Sequence, residues 1–275
     1  VPVYKAEGIV LRRQVIGEAD RTITLLTREY GRLRAVARGT RRITSRLAGR
    51  VEPFTHGGFL LARGRSLDVI AQVEVLRTFP GIHTDLLRGA YAGYVAEVVD
   101  RLLPERDRHE EAFTIVLRTL DVLEDASEDA AEMAALWCGL RLASELGYRP
   151  EVDACVGCGR ALPRGASGPA AAWGFAADAG GAVCPACLAG HAEAMRTVPG
   201  VFATCGYLLR AAPEHAVRLR TPPGQRRDLA RLVQAHLEHQ LDAKLRSPAV
   251  IGRLRAAGAS TSTSRGAGPD AGPTR

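Results

Sequence analysis

The sequence predicts an α+β protein of several domains. An N-terminal five-stranded barrel of the oligonucleotide-binding (OB) type is followed by a helical domain with a four-cysteine module inserted in it. Three observations carry this. Short alternating segments fill the first 80 residues. Helical periodicity takes over after Phe79-Pro80-Gly81. Two Cys-x-x-Cys pairs, Cys155/Cys158 and Cys184/Cys187, interrupt it with 25 residues between them. The chain of 275 residues divides accordingly into 1–80, 81–150, 151–200, 201–255 and a tail, 256–275.

Strands are expected over 3–13, 20–29, 31–39, 49–62 and 66–77. Tyr30-Gly31 makes one turn and Gly64-Arg65 another, and Gly57-Gly58 marks a bulge in the fourth strand. In the third strand Leu33, Ala35 and Ala37 share one face, and Arg32, Arg34 and Arg38 share the other. Arg41, Arg42, Arg46 and Arg50 follow, with Thr40, Thr44 and Ser45 among them and no acidic residue between Arg32 and Arg50. Arginine forks donate paired hydrogen bonds to phosphate and keep their charge at any working pH. The predicted phosphate-binding set, the candidate nucleic-acid contacts, is therefore Arg32, Arg34, Arg38, Arg41, Arg42 and Arg46. The alternative is a solvated face paired with carboxylates from elsewhere. Tyr4, Tyr30, Phe54 and Phe59 are the barrel's aromatics, expected in packing rather than stacked on bases.

Charge is distributed unevenly. Residues 1–80 hold 15 Lys+Arg against 7 Asp+Glu, 81–150 hold 7 against 14, and 201–275 hold 12 against 5. Basic ends around an acidic middle favour a polyanionic partner.

Helices are expected over 85–103, 109–124 and 127–147, the last with Ser127 as N-cap and Gly147 beyond its end. Cys138 lies on the last of these and reads as an inert core thiol. Each Cys-x-x-Cys pair can clamp one edge of a metal tetrahedron, so Cys155, Cys158, Cys184 and Cys187 suit one structural Zn²⁺. An iron–sulfur cluster or metal-free thiols are the alternatives, and His191 is a remote fifth candidate. The stretch between the pairs is too rich in Gly and Ala for a core of its own, so metal is expected to hold it together. With four protein ligands no position is open for catalysis.

A short helix over 201–212 contains Cys205. Pro222-Pro223-Gly224 reads as a linker, and 225–246 as a long amphipathic helix. Leu229, Leu232, Val233, His236, Leu237 and Leu241 face inward on it, and His236 and His239, an HxxH pair with no further ligand nearby, read as cap or surface histidines rather than metal ligands. From Ala256 the Ala/Gly/Ser/Thr/Pro composition predicts disorder.

Catalytic signatures are not found: neither lysine sits in a P-loop, and there is no HExxH or GxSxG. A nuclease would need Glu18, Asp20, Glu52 and Asp68 to converge beside the arginines. No apolar run reaches the ~20 residues of a membrane span, and the N-terminus does not read as a signal peptide. A cytoplasmic, non-enzymatic protein that binds a polyanion such as nucleic acid is the expectation. A zinc-containing RNA-processing or RNA-modifying enzyme is the alternative.

The segments GEADRTITLLTREYGRLRAVARGTRR and SRLAGRVEPF, the paired CxxC and HLEHQLDAKLRS resemble the RecO family of bacterial recombination mediators over about residues 3–250. The resemblance implies an N-terminal OB domain, a helical domain and an inserted zinc module. It also implies binding of single- and double-stranded DNA, annealing of complementary strands and partnership with RecR. With RecR the family helps load recombinase, and it contacts the acidic tail of single-stranded DNA-binding protein. The second basic excess, with Arg210, Arg226, Arg227 and Arg231 among Leu208, Leu209, Leu229 and Leu232, is the expected receiver of that tail.

Overall fold

The computed structural model describes residues 2–42, 45–163 and 172–264, with side chains through residue 257. Five strands, β1 (Val3–Ile16), β2 (Asp20–Thr27), β3 (Gly31–Ala37), β4 (His56–Ala62) and β5 (Asp68–Arg77), close a barrel. Their order is β1-β2-β3-β5-β4, antiparallel except for a short parallel contact of β3 with β5. This is the OB arrangement that the alternation predicted. Val10, Ile23, Leu25, Leu33, Phe59 and Val73 fill the interior.

Two departures in the barrel have local causes. The fourth strand starts at His56 rather than 49, because 48–50 form a single 3-10 turn and Phe54 takes a φ of 66°. The irregularity expected at Gly57-Gly58 exists, but the extra residue is Leu76 on β5, skipped between the pairs His56↔Arg77 and Gly57↔Val75. Gly57 is required there, since a Cβ would come within 2.5 Å of the Glu74 carbonyl oxygen.

A bulge in β1 attaches the barrel to the rest. Pairing slips between Val10↔Leu25 and Arg12↔Thr24, leaving Leu11 as the extra residue. Val10 stays inside the barrel, while Ile9, Leu11 and Leu26 join the helical core with Phe79, Ile82 and Phe113. That core is built from α1 (Pro80–Thr84), α2 (Leu86–Leu102), α3 (Glu110–Leu123) and α4 (Glu128–Glu145). Asp85 caps α2 by accepting from the backbone of Leu87 and Arg88, and Ser127 caps α4 by accepting from Ala130. Helix α4 is buried around most of its circumference and forms the centre of the fold. Cys138 on it is fully buried, and burial pushes its thiol up to about 12, as it does for Cys205.

The connection Leu103–His109 between α2 and α3 crosses back to the barrel. Arg106 donates its backbone N–H to the Arg32 carbonyl at 2.7 Å, and Glu105 bridges to Arg32 in parallel. Gly31, with φ 62°, is needed at this crossing: a side chain there would overlap the Asp107 carbonyl. Arg106 also reaches buried Asp68 at 2.6 Å, where the Tyr4 hydroxyl is a second donor. Burial works against the Asp68 charge, but these donors outweigh it and hold its carboxyl below the usual range. Burial and the adjoining carboxylate push Tyr4 up to about 12.

Beyond the cysteine module, α5 (Pro199–Arg210), α6 (Pro213–Ala216) and α7 (Pro223–Leu241) complete the body. The expected linker is instead the start of α7, with Pro222 at the N-cap and Pro223 in the first turn. The helix expected to reach residue 246 ends at Leu241, with Asp242 left-handed at φ 46°. A further helix, α8 (Ser247–Ser264), follows and carries helical structure into the tail predicted to be disordered from Ala256. Its start is fixed by Glu97, which accepts from Arg246 N, Ser247 N and Ser247 Oγ at 2.6–3.1 Å. Residues 265–275 lie outside the described residues.

Candidate nucleic-acid interface and metal centre

Alternation on β3 places its residues as expected: Leu33, Ala35 and Ala37 are buried, and Arg34 and Arg38 are exposed. The six predicted arginines divide into two groups. Arg32 donates Nη1 to Asp100 at 2.9 Å and Nε to the Leu103 carbonyl at 2.8 Å, and its side chain is only 16% exposed. Arg34 pairs with Glu105 at 3.4 Å. These two join barrel to helices, as the solvated-pair alternative allows. Arg38, Arg41, Arg42 and Arg46 are exposed and make no ion pair among the described residues. Thr44 lies outside those residues.

The open arginines sit at one end of the barrel. Arg41 donates its backbone N–H to Ala19 and Nη1 to the Gly17 carbonyl, while Gly39 N–H donates to Asp20. The arginine loop is thereby tied to the β1–β2 hairpin. Ala37 pairs with Arg21 on that side, and Val36 with Val69, just after the β4–β5 hairpin, on the other. The hairpin carries exposed Arg63 and Arg65, which the sequence reading did not include. Only the pairing order of the closed barrel reveals that they flank the same edge. In OB barrels the β2–β3 face and these two hairpins are where oligonucleotides lie.

The acidic residues a nuclease would need do not converge. Glu18 is exposed in the β1–β2 turn, Asp20 accepts from Gly39, Glu52 pairs with Arg13, and Asp68 is buried with Tyr4 and Arg106. Among the described residues, the one His/Cys/Asp/Glu group placed to hold a metal is the four cysteines.

Cys155, Cys158, Cys184 and Cys187 bring their sulfurs within 4.8 Å of one another, although the pairs are far apart in sequence. Cys158 Sγ and Cys184 Sγ are 3.7 Å apart. A tetrahedron with metal–sulfur bonds of about 2.3 Å has edges of about 3.8 Å, so the donor set fits. A β-sheet positions it: β6 (Trp173–Ala176), β7 (Gly181–Val183) and β8 (Met195–Thr197) form a sheet in the order β7-β6-β8, and Cys184 follows β7 directly. Burial opposes a thiolate at Cys155, yet backbone N–H groups of Cys184, Cys158 and Gly157 outweigh it and bring the thiol down to about 6. His191 lies just past a single 3-10 turn and is not one of the group.

The module is not coreless, contrary to the composition-based expectation. Trp173, Phe175, Ala182 and Val183 are buried in the same core as α5 and α7, with Trp173 against Phe202 and Phe175 against His236. His236 is buried, as its place on the inward face of the helix predicts, and is not a cap or surface residue. Its Nε2 meets the Tyr148 carbonyl at 2.7 Å, and burial holds its pKa below the ordinary value.

The expected acidic-tail receiver is corrected in part. Arg226 is 16% exposed and pairs with Asp129 at 2.6 Å and Glu132 at 3.1 Å, so it is a structural link between α7 and α4. Leu208, Leu209, Leu229 and Leu232 are buried and offer no surface. Arg210 pairs with Asp153 at 3.5 Å, and Arg231 pairs with its neighbour Asp228 at 3.7 Å while remaining 67% exposed. Arg227 is exposed.

Fold and site together define a class: an OB-barrel protein on a helical body that carries a four-cysteine, metal-type module. Comparison with known proteins narrows it. The family described as "Recombination protein O N terminal" matches residues 2–79, and "Recombination protein O C terminal" matches 83–249. The chain is 38% identical over 253 residues to "DNA repair protein RecO" of Roseiflexus sp. (strain RS-1), covering 92% of this chain and 86% of that one. It is also 38% identical over 252 residues to the protein of that name from Pelotomaculum thermopropionicum, covering 92% and 94%. The Symbiobacterium thermophilum relative is 35% identical over 255 residues, covering 93% and 99%. The chain belongs to the RecO family of DNA repair proteins. No described helix is long and apolar enough to cross a membrane.

Proposed function

We propose that this chain is a non-enzymatic mediator that binds single- and double-stranded DNA, anneals complementary strands and, with RecR, helps load recombinase. The observation that carries the reading is the set Arg38, Arg41, Arg42 and Arg46, left without carboxylate partners among the described residues at the ligand edge of an OB barrel. Annealing needs no bond chemistry. Neutralised phosphates let two strands approach, and base pairing supplies the rest. The matched relatives are named as DNA repair proteins, so they lend no support to the RNA-enzyme alternative. The cofactor we infer is one structural Zn²⁺.

Four phosphate contacts give a log–log salt slope of about −3 on single strands. Replacing Arg38, Arg41 and Arg42 by Ala should flatten it by about 2 and weaken binding to every sequence alike. Fluorescence anisotropy at several salt concentrations reads both. An unchanged slope in the folded triple variant would exclude this surface.

For the acidic tail of single-stranded DNA-binding protein, the receiver we infer shifts from Arg226 to Arg231 with Arg227. Arg231 lines a cavity of about 200 Å³ with Tyr91, Tyr94, Leu136 and Ile251, which joins a cation to an apolar recess. An acidic peptide ending in an apolar residue needs both. Arg231→Glu should weaken a labelled tail peptide at least tenfold and leave annealing of naked strands intact. Unaltered peptide affinity would remove Arg231 from the site.

A further inference from the structure

A second basic site lies where the barrel meets the helical body. Arg12 from β1, Arg101 from the last turn of α2 and Arg246 from the α7–α8 junction line one cleft of about 540 Å³. Three remote segments thus deliver guanidinium groups to the same space. Its floor is smooth, made by Leu11, Gly93 and Ala96, with nothing within 4 Å of where a Gly93 Cβ would stand.

The cleft's carboxylates are already engaged. Glu97 holds the Arg246–Ser247 backbone and lies 3.4 Å from Arg101. Asp100 is held by Arg32 at 2.9 Å, leaving Arg12 a distant 3.9 Å contact with its side chain 58% exposed. The Arg246 guanidinium is exposed and makes no ion pair among the described residues. The cleft therefore keeps unspent positive charge.

It is also continuous with the barrel surface. Arg12 pairs with Thr24, which pairs with Arg34, so Arg12 and Arg34 stand in one row two strands apart on the outer face. Thr24 between them is buried and Arg34 is held by Glu105, but β1 itself is exposed from Arg12 to Gly17, whose carbonyl accepts from Arg41 of the open loop. The β1 bulge is what brings Arg12 to the cleft: with Leu11 as the extra residue, Arg12 follows it on the outer face.

We propose that this cleft is a second sugar–phosphate backbone site, extending the path of the nucleic acid from the barrel onto the helical body. The inference rests on the nucleic-acid reading of the barrel and deepens it. Continuity along exposed β1 with the open arginine loop favours a long polyanion over a compact one. A chain spanning both sites engages more phosphates than the barrel alone.

The test uses the full-length protein with single strands of about 8 and about 24 nucleotides, within and beyond the roughly 4–16 nucleotides that one OB fold covers. Arg12→Gln with Arg246→Gln changes two exposed side chains, and circular dichroism verifies folding. On the longer strand the double variant should flatten the salt slope by about 1.4 and bind several-fold more weakly. On the shorter strand it should match the unaltered protein. An unchanged slope on the longer strand, or an equal loss on both lengths, would overturn the separate cleft site. Binding that depends on Arg12 and Arg246 but is indifferent to the Arg38/Arg41/Arg42 triple variant would overturn the barrel reading and leave the cleft standing.

Discussion

Replacing Cys158 and Cys187 together by Ser should abolish one stoichiometric zinc per chain, read by metal analysis of the purified protein. Each cysteine pair loses one donor, and two remaining thiolates cannot close a tetrahedral structural site. Structural zinc sites contribute on the order of 10 kcal/mol to the folding of small metal-dependent peptides. The consequence here is more local, because Trp173 and Phe175 are anchored in the core beside α5 and α7. The knuckles at 155–158 and 184–187 should loosen, seen as faster amide exchange there, while the barrel keeps its protection. Acidification should act in the same direction, since metal binding requires deprotonated thiols. Stoichiometric zinc in the double variant, or a metal-free native protein with the same exchange pattern, would refute the assignment.

Arg226→Glu is expected to be the most damaging single charge change in the C-terminal half. Glu132 is almost fully buried and is held by Arg226 on one side and by Arg255 at 2.9 and 3.1 Å on the other. Reversal removes one cation and places a third carboxylate beside Glu132 and Asp129. Breaking a buried pair costs about 3–5 kcal/mol, and retained Arg255 puts this case near the lower end. At roughly 2–4 °C per kcal/mol for a chain of this size, the melting temperature should fall by about 6–12 °C. Arg227→Glu, one residue along and exposed, is the control and should move it by less than about 2 °C. Equal melting of the two variants would show that the α7–α4 link contributes nothing.

These two sites also show what was legible in the chain. The cysteines were legible because each pair carries its own short spacing, and the barrel because alternation is a local pattern. What Arg32 and Arg226 do was not. Their partners, Asp100 and Glu132, are remote in sequence, and an arginine bound to a carboxylate reads the same as one facing phosphate. The second half of helix α8 was hidden by composition, since Ala, Gly, Ser and Thr from Ala256 suggest a tail, and its start by the remote Glu97, which caps the Arg246–Ser247 backbone. The bulge at Leu11 escaped for a different reason: an inserted residue shifts which face each side chain joins, and nothing in the one-residue step marks it.

The crossing of Leu103–His109 over β3 bears on how the chain is made. A ribosome releases the five strands before the helices, and domains ordinarily fold as they emerge. Here the start of β3 pairs with Glu105, and Asp68 gains its Arg106 partner only when that segment has left the tunnel. Ile9, Leu11 and Leu26 stay uncovered until the first helices arrive. Folding of the barrel is therefore timed by residues translated after it. The nascent chain passes through an interval in which an apolar strand surface is exposed and a buried-to-be carboxylate lacks its cation.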